Sequence, residues 1–127
     1  MYSLTTNSMR MLERSLDFLW TKQAAHLDNI SNAETPGYKV KTVTFEESFL
    51  SKLKAASAGE QPVENVRRVI DQADWRVEED SEITRMDENG VNILEQMLEA
   101  TRTAYQIQYI MQSISGNFSA LNRAITG

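Results

Sequence analysis

Few side chains in this 127-residue chain are of a type that does reaction chemistry, and none stand at the spacing it needs. There is no cysteine, which removes a thiol nucleophile, a disulfide scaffold and a zinc finger together. The single histidine, His26, has no second histidine with which to share a metal, and a Ser-His-Asp triad would hang on it alone. General acid–base work would then fall to carboxylates. The densest run of them, Glu78-Glu79-Asp80 with Glu82, reads as a solvated loop rather than a metal site. No catalytic, cofactor-binding or metal-binding residue is expected, and an enzyme is the weakest reading.

The informative polar residues are amides beside a turn. Residues 29–39 read Asn-Ile-Ser-Asn-Ala-Glu-Thr-Pro-Gly-Tyr-Lys. Pro36 holds φ near −65° for the first central position of a turn, and Gly37 supplies the positive φ that a type II turn needs next. Asn29 and Asn32, three apart, project from one face of the last turn of a helix. There they can cap terminal carbonyls or hydrogen-bond another chain. The sequons at Asn29 and Asn117 fall on helical segments and are read as accidental.

Two long helices must flank that turn. At the C-terminal end Ile93, Met97, Ala100, Ala104, Ile107, Met111, Ile114, Phe118, Leu121 and Ile125 recur at alternating spacings of four and three. That places one apolar stripe along a helix from about Val91 to Thr126, about 54 Å long at ~1.5 Å per residue. Asn89-Gly90 is its expected boundary. Leu94, Leu98, Tyr105 and Ile110 widen the apolar surface, so the helix is expected to touch more than one neighbour. At the N-terminal end Met9, Leu12, Leu16 and Leu19 follow the same rule, and the helix is expected to stop before Pro36. Strict register then meets Gln23 and His26, so the apolar band is expected to drift to Trp20, Ala24, Leu27 and Ile30. The two polar residues read as hydrogen-bonded register devices rather than ligands.

Residues 34–90 are expected to be an irregular middle segment. Phe45, Phe49, Leu50 and Leu53 suggest a short helix, and Lys54–Pro62 a flexible linker. Val63–Ile70 and Trp75–Val77 suggest short strands. The expected fold is mainly all-α. Segment 1–33 and segment 91–127 pair as a coiled-coil-like hairpin in one structural domain, with 34–90 between them. Charge follows the same division. The net −5 lies entirely in residues 34–90, with thirteen acids against eight bases, while each end is near-neutral and charge-poor. Such ends are expected to be covered by other protein, since solvated surfaces usually carry both signs throughout. Nothing is basic enough for nucleic acid. No apolar run approaches the ~20 residues of a membrane helix, and the first ten residues carry no cleavable secretion signal pattern.

Asn29–Lys39 resembles the N-terminal signature of the flagellar axial proteins, close to Asn-x-Ala-Asn-x-x-Thr-Pro-Gly-Tyr-Lys, with Ser31 where Ala is usual. Rod, hook and hook-associated proteins share it. The short chain, Val43-Thr44-Phe45-Glu46 after the motif, and the close from Phe118 to Ile125 are similar to a short subunit of the proximal rod. The resemblance covers roughly residues 10–49 and 90–126. A second short rod subunit is matched in part by Asn89–Asn92 and Arg102–Ile107.

The resemblance implies a structural protein, exported through the flagellar type III apparatus and polymerised through its terminal helices into a torque-transmitting tube in the basal body. It implies partners: copies of itself, other rod proteins, the base protein FliE that joins rod to membrane ring, and the export gate. It implies no cofactor, nucleic acid or small-molecule substrate. Asn29, Asn32, Thr35, Pro36, Gly37, Tyr38 and Lys39 would form the motif turn. Leu12, Leu16, Leu19, Leu27, Ile30, Ile93, Met97, Ala104, Ile107, Met111, Ile114, Phe118, Leu121 and Ile125 would form the assembly stripe. A soluble coiled-coil adaptor or secretion chaperone is the alternative from another class; it explains the helices but not the motif.

Overall fold

The N-terminal helix, α1, spans Asn7–Ser31, and the Thr6 hydroxyl starts it by accepting from the Met9 backbone N–H at 3.2 Å. The computed structural model describes residues 6–79 and 91–127. After α1 come strand β1 (Lys41–Phe45), helix α2 (Phe49–Ala58), helix α3 (Pro62–Asp71) and strand β2 (Trp75–Glu79). The long helix α4 (Ile93–Thr126) closes the chain. The protein is thus mainly helical, with long terminal helices and a short two-stranded sheet between them. Asn92 caps α4, its Oδ1 accepting from the Glu95 N–H at 3.2 Å. Asn89-Gly90, and Asp80 and Glu82 of the acidic run, lie outside the described residues; Glu78 and Glu79 belong to β2.

Residues divide into two compact units. One gathers Met1–Asp17, Glu46–Asp74 and Gln108–Gly127; the other gathers Phe18–Phe45 and Trp75–Ile107. In the first, α2 and α3 form a helical pair and α3 is tied to the start of α1. Asn7 donates to the Val63 carbonyl and accepts from Arg67 Nε, Arg10 pairs with Asp71 at 3.3 Å, and Arg14 donates to the Ala73 carbonyl. Met9, Ile70 and Ala73 are buried there.

Two expectations for this region are overturned. Lys54–Pro62 is not a linker: α2 runs to Ala58, because Lys and Ala are good helix formers. Only residues 59–61 connect it to α3, with Gln61 in the left-handed region at φ 56°. Val63–Ile70 is not a strand. Its β-branched residues suggest one, but Pro62 sits in the first turn, where the missing N–H costs nothing, and Glu64 there favours the helix dipole. Val63, Val66 and Ile70 then fall on one helical face.

In the second unit β1 and β2 pair antiparallel, Lys41 opposite Glu79 and Phe45 opposite Trp75. Phe45 and Trp75 stack, and Phe18 of α1 meets both rings edge-on at 5.3 and 5.9 Å. Such aromatic contacts contribute about 0.5–1.5 kcal/mol each beyond area burial. They seat the ribbon on α1. Among the described residues of this unit, Leu19, Ala25, Asn29, Val91, Ala100, Thr103 and Ile107 are buried.

Candidate functional site

The motif is organised around Asn29, which is fully buried. Its Oδ1 accepts from the Tyr38 hydroxyl and the Lys41 N–H, both at 2.9 Å. Its Nδ2 donates to the Lys41 carbonyl at 2.9 Å and to Gln96 Oε1 of α4 at 3.1 Å. Both donors and both acceptor positions of the amide are used. Toward Lys41 the side chain behaves as a neighbouring strand would, pairing one N–H and one C=O. Burying an amide is tolerable only when it is satisfied in this way.

Asn32 has the other role foreseen for these amides. Its Nδ2 caps the Asp28 carbonyl at 2.9 Å, and its Oδ1 accepts from the Thr35 hydroxyl at 3.2 Å. The turn follows: the Tyr38 N–H reaches the Thr35 carbonyl at 3.2 Å, and Gly37 takes φ 73°. A Cβ at Gly37 would meet nothing within 4 Å, so the position demands a backbone angle, not space. Pro36, Gly37 and Lys39 are exposed. Lys41, the next basic residue, pairs with Asp28 at 3.0 Å, and this hydrogen bond raises the ammonium above its ordinary pKa. Burial pushes the Tyr38 hydroxyl up, against the opposing pull of Lys41.

Above Asn29 the same face of α1 continues onto α4. His26 Nδ1 lies 2.9 Å from Gln96 Oε1, and Gln23 Nε2 donates to the Ala100 carbonyl at 3.1 Å. Gln23, His26 and Asn29 meet Ala100 and Gln96 in reverse order, which makes the pairing antiparallel. The expected drift of the band is therefore corrected. Trp20, Ala24 and Leu27 are exposed, and strict register is kept through Gln23 and His26, because hydrogen bonds make these polar residues acceptable in the seam.

On α4, Ala100 and Ile107 are buried and Ile114 and Leu121 half-buried, seven residues apart. The companion row on the covered side is Gln96, Thr103 and Ile110. Ile93, Met97, Ala104, Met111, Phe118 and Ile125, the other members of the apolar ladder, are exposed in the single chain. On α1, Leu19 is buried and Leu12, Leu16 and Ile30 half-buried. The sequence alone does not single out Gln96, whose only signal is a polar residue seven before Thr103 on the same helical face. Among the described residues no group of His, Asp and Glu could hold a metal ion, and no helix is long and apolar enough to cross a membrane.

This arrangement is scaffolding: a saturated Asn29 amide, a shaped turn and an apolar helix surface. The chain is similar along almost its whole length to the flagellar basal body rod protein FlgB of Bacillus subtilis (strain 168). The two are 26% identical over 130 residues, covering 98% of each chain. No family model matches the chain. The similarity takes in the middle segment as well as the helices, where the motif resemblance covered only the two ends.

Proposed function

We propose that the protein is a FlgB-like structural subunit of the proximal rod of the bacterial flagellar basal body. It polymerises through its terminal helices and transmits torque; it is not an enzyme. The observation that carries the reading is the row of large apolar side chains exposed on α4, Met97, Met111, Phe118 and Ile125, on a chain similar end to end to a rod protein. Contiguous apolar surface is uncommon on a free monomer and marks an interaction site. Covering it with neighbouring subunits would complete the burial and, through close packing, stiffen the tube.

In this reading the subunit leaves the cytoplasm through the flagellar type III export gate and works outside it, in the rod. Its partners are its own copies, the adjoining rod proteins and the base protein FliE. It uses no cofactor and engages no nucleic acid or small-molecule substrate.

The test is incorporation. A tagged copy expressed in a cell lacking its proximal rod subunit should appear in purified basal bodies and restore swimming. In parallel, sedimentation over a concentration series should show growing assemblies, or ordering by a neighbouring rod protein. A fixed small dimer absent from basal bodies would favour an adaptor or chaperone. Recovery only where the second short rod subunit, FlgC, is missing would change the member but not the class.

A further inference from the structure

The buried amide cluster permits a deduction about atoms no one residue reveals. Lys41 presents one backbone N–H and one backbone C=O to the Asn29 amide, at 2.9 Å each. Only one orientation of that amide serves both, oxygen toward N–H and nitrogen toward C=O, so the usual ambiguity of an asparagine flip is absent. The Tyr38 hydroxyl, also at 2.9 Å from Oδ1, must then donate. The second N–H of Asn29 points at Gln96, 3.1 Å away, so the Gln96 atom there is the oxygen. A carboxamide oxygen only accepts. His26 Nδ1, 2.9 Å from the same oxygen, must therefore carry its proton.

The other ring nitrogen agrees. His26 Nε2 is buried with no hydrogen-bond partner among the described residues. An unpaired acceptor is tolerated more often than an orphaned N–H, as backbone groups show. The ring is thus expected in the Nδ1–H form, the reverse of the preference of free histidine.

We infer that Gln96 and His26 form a tautomer-locked relay that tightens the hold of Asn29 on Lys41 while the first turns of α4 are docked. The N-terminal motif thereby senses the C-terminal helix. One Gln96 oxygen receives both the motif's donor and the histidine's, so removing α4 leaves Asn29 with an unmet N–H and loosens its grip on Lys41. Gln96 and His26 are positioning residues; neither touches the turn. The inference lies within one compact unit and does not depend on the rod assignment.

The test reads the tautomer directly. Long-range proton–nitrogen correlation of 15N-histidine in the intact protein at alkaline pH should show Nδ1 protonated and Nε2 bare. A dominant Nε2–H form overturns the relay without any variant. Gln96→Met should abolish the Nδ1–H preference and speed exchange of the Lys41 amide by about fivefold, the loss of one neutral hydrogen bond's support. Gln96→Glu keeps an acceptor and should retain both the tautomer and the slow Lys41 amide. Gln96→Met with an unchanged tautomer, or with unchanged Lys41 exchange, refutes the coupling.

Discussion

Up to Ile107, α4 buries Ala100, Thr103 and Ile107 and lends Gln96 to the Asn29 cluster; beyond it, no residue is fully buried, although Ile110, Met111, Ile114, Phe118, Leu121 and Ile125 are all apolar. The two halves are similarly apolar, yet only the first has fully buried residues. In the first half, polar groups with partners define which face is inside, while Ile93, Leu94, Met97, Leu98 and Tyr105 stay exposed on the rest of the surface. In the second, apolar surface remains on offer. Hydrophobicity thus marks where this helix can be covered, and hydrogen bonding marks where it already is.

The largest effect expected from breaking this contrast is at Phe118, 54% exposed. Phe118→Asp should leave the fold of the free chain intact, with a stability change within about 0.5 kcal/mol as for surface sites. It should nevertheless eliminate incorporation into basal bodies, because a carboxylate covered by a neighbour would be unpaired. Gln112→Asp, on the exposed surface of the same helix, is the matched control. Assembly of Phe118→Asp at the level of that control would show that the exposed row is not an interface.

Where hydrogen bonds fix the covered face, the damage should be to stability instead. Asn29→Ala leaves the Lys41 N–H and C=O and the Tyr38 hydroxyl without their partner, and should cost roughly 3 kcal/mol in urea unfolding. A cost below about 0.5 kcal/mol, the level of an ordinary surface site, would show that the cluster does not hold the turn. Gly37→Val should cost about 1–2 kcal/mol or somewhat more, since β-branched residues strongly resist positive φ. Gly37→Asn should recover much of it, as Asn tolerates that region and no neighbour crowds the site. Equal losses for the two would mean that the turn angle is not the cause.

Thr103 sharpens the comparison in the opposite direction. It is 1% exposed, and its Oγ1 has no hydrogen-bond partner among the described residues. Thr103→Val removes an unmet hydroxyl at similar volume and should raise the unfolding free energy by roughly 1 kcal/mol, read as a higher urea midpoint. A clear destabilisation would reveal a partner for that hydroxyl.

The smallest effect is electrostatic and lies in the other unit. Glu46 is held below its ordinary pKa chiefly by Lys52, 2.7 Å away, with help from the Asp74 N–H. A carboxylate with a depressed folded pKa adds stability above its unfolded pKa, and that stability is lost as pH falls through the folded value. Lys52→Met should therefore flatten the acid side of the stability–pH curve slightly and leave the alkaline side unchanged. An unaltered acid limb would mean that the pair contributes nothing measurable.

The terminal helices and the turn were legible because their signals are local. A four-three apolar rhythm from Ile93 to Ile125 and a Pro36-Gly37 pair each imply a backbone conformation with no distant partner. β1 carries no clear local signal, and the residues of α3 read as a strand, because β-branched runs suit either state until packing chooses. Which face of each long helix turns inward was beyond reach of the residues alone. Trp20, Leu27, Met97 and Phe118 are apolar and exposed, while Gln23, His26, Asn29, Gln96 and Thr103 are polar and covered or partly so. A polar group belongs inside only when a specific partner meets it there. Asn29's partners lie 9, 12 and 67 residues away, a coincidence that only the folded chain creates.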